Sequence, residues 1–202
     1  MQYWAINEGS MHMSCSRHWR QRLGLLGLFL AILSAPAGAA EEEGFEQDTI
    51  LKDAGEFFGS GAEGLADVIS KIFNEHGKPN AYIKGTEASG ALVVGARYGD
   101  GVLYTKSGGT AKVYWTGPSV GFDAGGNLSK VYVLIYHLPG TDAIYQRFPA
   151  VEGSIYYIGG VGASYHQVDD IVLAPIRLGV GLRAGVNLNY MHIRREKSWN
   201  PF

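Results

Sequence analysis

The sequence predicts a mainly β protein: a small, largely antiparallel, soluble β-barrel with one N-terminal amphipathic helix packed on it. Three observations carry that expectation. From Ala81 onward, short runs rich in Val, Ile, Tyr and Leu are punctuated by glycine-containing clusters at 99–101, 107–109, 125–127 and 139–140, the texture of antiparallel strands joined by turns. Between Ile176 and Tyr190 the apolar side chains hold one parity, while Arg177, Gly179, Gly181, Arg183, Gly185, Asn187 and Asn189 hold the other, which is the period of a strand with one greasy face. Helical spacing is confined to the segment before Ala81.

The first element is an export signal. Arg17, Arg20 and Arg22 precede an apolar run from Leu23 to Leu33, and Ala37 and Ala39 place small side chains where a peptidase needs them, so residues 1–39 are expected to be cleaved. The run of about eleven residues is shorter than the ~20 that span a bilayer. With no second hydrophobic stretch after it, no transmembrane span is expected after cleavage. The single cysteine, Cys15, precedes the run, which leaves neither a lipidated cysteine nor a disulfide for the mature chain. Removing Arg17, Arg20, Arg22 and Glu8 turns 17 basic and 19 acidic residues into 14 and 18, a net charge of about −4, which disfavours nucleic-acid binding. Roughly 160 residues remain, enough for one domain with its own core. They divide into a linker (40–58), a barrel with its helix (59–193) and a C-terminal tail (194–202).

Leu65, Val68, Ile69, Ile72 and Phe73 share one face of the predicted helix. Ser60 and Glu63 fit a capping box ahead of it, and Gly77 with Pro79 fit its stop. Beyond Ala81, Asp100-Gly101 suits a type I′ hairpin turn, pairing a strand that ends near Tyr98 with one that starts at Val102. Val131–Tyr136 and Ile155–Ile158 are apolar on both faces, as expected where one side meets the barrel core and the other lies under the helix or a ligand. The Ile176–Tyr190 run exceeds the usual strand length, so its glycines are expected to mark coiling or bulges at the corner of a closed sheet. Most other runs cover about five to eight residues, less than the nine to eleven of a tilted membrane-spanning strand.

Several motifs resemble chemical signatures and fail on context. Gly59-Ser60-Gly61-Ala62-Glu63-Gly64 matches the dinucleotide fingerprint, but no buried strand precedes it and no alternating strand–helix pattern follows. His76, His137, His166 and His192 form no close ligand pair, so no metal or cofactor is expected. Asp169-Asp170 after His166 reads as a solvated turn, and Gly117-Pro118-Ser119-Val120-Gly121 lacks the setting of a nucleophile elbow. No catalytic constellation emerges, and a non-enzymatic protein is expected. The candidate ligand-binding residues are Arg97 with Tyr98, Tyr114 with Trp115, and Arg147 with Phe148, which combine apolar contact with the means to recognise an anionic head group.

Four stretches resemble a known family: Gly64 to Ile69, Val113 to Asp123, Arg147 to Gly153 and Ala174 to Arg183, with Tyr114-Trp115-Thr116-Gly117-Pro118-Ser119 the most specific. The family is envelope integrity protein A of Gram-negative bacteria, and the resemblance runs from about Gly59 to His192. It implies a small periplasmic β-barrel needed for resistance to envelope stress, with no catalytic residues to carry over. A weaker similarity, in Gly90 to Leu103 followed by Gly117 to Gly121, is to SYLF-type lipid-binding domains, which bind acidic lipids. The expected partners are therefore envelope lipids or envelope proteins, and oligomeric state is not readable. Two rival expectations are an integral outer-membrane barrel and an enzyme acting on envelope polymer.

Overall fold

Two strands dominate the molecule. The computed structural model describes residues 44–59, 63–178 and 190–200, the side chains of 89–94 and 119–127 excepted. The expected signal, Ser60 of the expected capping box and most of the Ile176–Tyr190 alternation lie outside the described residues. In chain order the elements are α1 (Gln47–Phe58), α2 (Leu65–His76), β1 (Ala81–Thr105), β2 (Thr110–Tyr136), a 3-10 turn (Thr141–Ile144), β3 (Arg147–Pro149), β4 (Tyr156–Ile158), β5 (Val161–Ala163), β6 (His166–Val168), β7 (Ile171–Leu178) and β8 (Tyr190–Arg194). The strands form one antiparallel sheet in the order β3-β8-β2-β7-β5-β4, with β1 on β2 and β6 on β7.

β1 and β2 are 25 and 27 residues long. Drawn straight, such a hairpin would reach about 80 Å, roughly twice the width of a domain of this size, so it curls into a barrel-like form. Its two ends are brought back together: the Lys106 amide donates to the Asn80 carbonyl at 2.9 Å, and Gly101 lies against Gly85. A Cβ on Gly101 would stand 2.5 Å from the Lys84 carbonyl oxygen and 2.9 Å from Gly85 Cα, so only glycine lets the two halves of β1 touch. On its other edge β2 pairs with β7 (Val131 opposite Arg177) and with β8 (Thr116 opposite His192), in one common register. The Ala150–His166 bridge links the end of β3 to β6.

Strand alternation then builds two apolar layers. Val131, Val133 and Ile135 face the interior with Ile83, Leu103, Val113, Phe148 and Leu173. Tyr132, Leu134 and Tyr136 face outward and are covered by Ile50, Ala54, Val68, Ile69 and Ile72 of the helices. The two-faced apolar reading of Val131–Tyr136 is thus explained by barrel core on one side and helix on the other. The second such segment differs: only Tyr156–Ile158 forms a strand, and Tyr157 is exposed.

Four local expectations need correction. Among the described residues there are two helices, because α1 occupies much of the expected linker. Its buried stripe is narrow, Ile50, Ala54 and Phe58, and tertiary contacts hold it, with Asp53 accepting from Lys84 and from the Tyr132 hydroxyl at 2.9 Å each. α2 starts at Leu65 with Gly64 as its cap and no side-chain capping bond, so Glu63 precedes the helix. A Cβ on Gly64 would collide with the Ile158 carbonyl, so close docking of the helix on β4 takes precedence over a polar cap. Asp100 and Gly101 are not a turn but lie inside β1 opposite Tyr114 and Val113. The chain reverses at 106–109, where Gly108 has φ 89°, and 125–127 lies inside β2 near a register shift after Ser89. Finally, the long strands remove the argument that the runs are too short to span a membrane.

Candidate functional site

The interior holds a charged cluster that no local motif announces. Glu87, on the inward parity of β1, is 3% exposed. Its Oε1 accepts from Arg177 Nε at 3.1 Å and stands 3.2 Å from Arg97 Nε. Its Oε2 accepts from Trp115 Nε1 at 2.9 Å and from Arg177 Nη2 at 3.2 Å. Burial pushes the Glu87 carboxyl up, but Arg177 and Arg97 outweigh it and hold the group at about 2. Close by, buried His166 has Nδ1 3.3 Å from the Phe148 carbonyl oxygen. A carbonyl only accepts, so the ring proton sits on Nδ1. Burial, then the charges of Arg177 and Arg97, press the His166 pKa down to about 3.

That depression has a measurable consequence. The unfolded histidine titrates near 6.5, so the folded state binds fewer protons between about 3 and 6.5. Its stabilising contribution is complete above pH 6.5 and declines as pH falls through that window, by up to about 1.4 kcal/mol per pH unit. Urea denaturation of the protein between pH 7 and 5 should show this slope, and His166→Gln should flatten it. An equal slope in both proteins would mean that His166 is not held neutral.

On the outer face of β1 and β2 lies a cleft of about 180 Å³ lined by Thr86, Tyr98, Tyr114, Thr116, Leu128 and Trp199. Opposite parity explains the separation: Tyr98 and Tyr114 turn outward where Arg97 and Trp115 turn inward. The segment after β8 folds back over the cleft. Its Trp199 ring lies 5.7 Å from that of Tyr98, whose hydroxyl donates to the Trp199 carbonyl at 2.8 Å. Lys197 sits over Trp199 and Lys112 over Tyr114. Leu128 and Trp199 remain 75% and 72% exposed, an unusual display of apolar surface. Thr116 is buried and its hydroxyl has no partner among the described residues.

The sequence profile of envelope integrity protein A matches residues 43–202. The chain belongs to the envelope integrity protein A family. The match takes in α1 and the C-terminal segment, both beyond the Gly59–His192 stretch of the resemblance. A crystal structure of a β-barrel-like, uncharacterized protein from Brucella abortus is similar at 42% identity and a TM-score of 0.71, over 79% of this chain and 99% of that one. No functionally curated protein matches.

In this family member the six candidate residues fall in three places. Arg97 and Trp115 meet at Glu87, and Phe148 fills the barrel core beside His166. Tyr98 and Tyr114 line the outer cleft, which Trp115 also borders. Arg147 lies apart from both, over the Tyr190 ring at 4.5 Å. The sequence reading missed Glu87 and Arg177 as partners, since they lie 90 positions apart, and missed Trp199, an aromatic in a largely polar segment. Its parity signal did place Arg177 on the polar side of its strand. Asp169 and Asp170 occupy the turn between β6 and β7 and are exposed, whereas His166 is buried. The glycine-rich segment from Gly59 follows helix α1 rather than a strand, which removes the structural basis of a dinucleotide fingerprint. Among the described residues no three His, Cys, Asp or Glu side chains gather to hold a metal.

Proposed function

We propose that the protein is a non-enzymatic, periplasmic support of the cell envelope that holds part of a lipid or other amphiphile in the cleft between Tyr98, Tyr114 and Trp199. The observation that carries this reading is the pairing of strongly exposed Leu128 and Trp199 with the unpartnered Thr116 hydroxyl at one cleft. That combination offers an apolar chain a surface beside a polar group in the cleft wall. Lys112 and Lys197 flank the aromatic rings and favour an anionic amphiphile. The family's link to envelope integrity and the export signal read from the sequence support a periplasmic workplace. The non-enzymatic reading is supported by chemistry: the Glu87 oxygens are held by three hydrogen bonds and the Arg97 ion pair, and His166 is buried and neutral, so neither is poised as a base.

Lipid extraction of gently purified protein, followed by mass spectrometry, is expected to yield a bound amphiphile. Vesicles containing phosphatidylglycerol are expected to bind the protein about tenfold more tightly than the Tyr114→Ala/Trp199→Ala variant, the loss of two aromatic anchors. Protein that carries no lipid and ignores anionic vesicles would end the amphiphile reading.

The strand lengths favour one second reading, an integral outer-membrane barrel. A spanning barrel is apolar outside and polar inside, whereas here the interior is packed with Ile83, Leu103, Val113 and Val133 and helices cover part of the outside. Release of the protein with the soluble fraction on spheroplasting would favour the periplasmic reading. Retention in a carbonate-washed membrane pellet would favour the barrel.

A further inference from the structure

The cluster at Glu87 is unbalanced in both charge and hydrogen bonds. Two guanidiniums face one carboxylate, and His166 beside them adds no negative charge. Buried charge is ordinarily matched by charge of opposite sign, so among the described residues one positive charge is left over. The donors tell the same story. Glu87 has both oxygens doubly engaged, and Arg177 grips it through Nε and Nη2. Arg97 comes nearest the carboxylate through Nε, at 3.2 Å, and its two Nη groups make no hydrogen bond among the described residues. The site is open to a compact group: Arg97 keeps 19% of its side chain exposed and Arg177 13%. Exposed Tyr157 stands in the same cross-strand row as Arg177, opposite Gly162, which is itself opposite Arg177.

We propose that the Nη face of Arg97, backed by Arg177, is an oxyanion site that takes one phosphate group. The planar guanidinium fork matches two phosphate oxygens, and the anion supplies the charge that Glu87 leaves unmatched. Glu87 holds the two arginines in place from the inner side, so the site is preorganised before the anion arrives. It stands on the opposite face of the sheet from Tyr98 and Tyr114, with Trp115 bordering the cleft and hydrogen-bonded to Glu87. Free phosphate and the phosphodiester of a lipid head group present the same chemistry, and experiment separates them.

The arginine Nε–Hε resonances of the ¹⁵N-labelled protein report directly on the site. Titration with inorganic phosphate is expected to shift the Arg97 signal, and Arg97→Gln is expected to weaken phosphate binding about tenfold or more, the loss of a charge-assisted hydrogen-bond pair. Arg97→Lys, which keeps the charge and loses the fork, should recover only part of the affinity. Arg147→Gln removes a surface guanidinium of equal charge and should change little. If phosphatidylglycerol vesicles shift the Arg97 signal while inorganic phosphate and phosphatidylcholine vesicles do not, the source is a lipid head group. An Arg97 signal that responds to neither, or equal weakening by Arg97→Gln and Arg147→Gln, overturns the proposal. Should Arg97→Gln fail to fold, the wild-type titration together with Arg97→Lys decides the matter.

Discussion

Glu87→Gln is expected to lower the unfolding free energy by about 3–5 kcal/mol, the usual cost of removing one partner from a buried charge cluster. The substitution keeps the size of the side chain and one carbonyl acceptor, yet it leaves Arg97 and Arg177 facing each other inside the barrel with no carboxylate between them. An independent argument reaches a similar magnitude. The carboxyl is lowered from 4.5 to about 2, which corresponds to about 3 kcal/mol favouring the charged form in the folded state. A carboxylate with a depressed folded pKa contributes stability that is complete above its unfolded value and lost as pH falls through the folded one. The wild-type protein should therefore lose this contribution between about pH 4.5 and 2, and the variant should lack that part of the acid slope. Urea denaturation at pH 7 and a pH series of melting temperatures test both statements. A loss below about 1 kcal/mol would put the cluster in the range of solvent-screened surface pairs.

The second large effect concerns the place where β1 folds against itself. Gly101→Val is expected to cost about 3 kcal/mol or more, because the new side chain meets backbone rather than the movable end of a neighbour. The obstructing atoms are the Lys84 carbonyl oxygen and Gly85 Cα, and neither can retreat without parting the two halves of the strand. The expected readout is a lowered denaturation midpoint together with weakened protection of the Lys106 amide, whose bond to Asn80 joins the ends of β1. If Gly101 were instead a hairpin-turn residue, as its pairing with Asp100 suggests locally, the damage would be confined to that turn. The Lys106 amide would then stay protected.

Asp100-Gly101 shows where local sequence reasoning reaches its limit. The dipeptide carries a strong turn signal over four residues, and nothing within that window shows that Gly85 must approach it. The same limit applies to the charged cluster. Glu87, Arg97, Trp115 and Arg177 each fit a strand position, but their meeting depends on how a coiled hairpin brings its inner face together. The capping box failed for a related reason: docking Gly64 on the Ile158 carbonyl outweighs a hydroxyl cap. The α1 stripe of Ile50, Ala54 and Phe58 was too narrow to stand out from a linker, and its helix is held by Asp53 reaching Tyr132 and Lys84. Two of the six candidate residues, Arg97 and Trp115, do share one site, and two others, Tyr98 and Tyr114, share another. Alternating parity sends neighbours in sequence to opposite faces of the sheet.

By itself the sequence determined the mainly antiparallel barrel-like class, the α2 face, the two-sided burial of Val131–Tyr136 and the polar turn at Asp169-Asp170. These depend on side-chain periodicity and turn chemistry, which act over a few residues and are written in order along the chain. Only the tertiary structure decided that two strands of 25 and 27 residues carry the sheet, that Arg97 and Arg177 converge on Glu87, and that Trp199 returns to Tyr98. Those outcomes follow from closing a long hairpin on itself. Closure is governed by backbone approach and charge pairing between residues up to 101 positions apart, a distance over which no local pattern carries information.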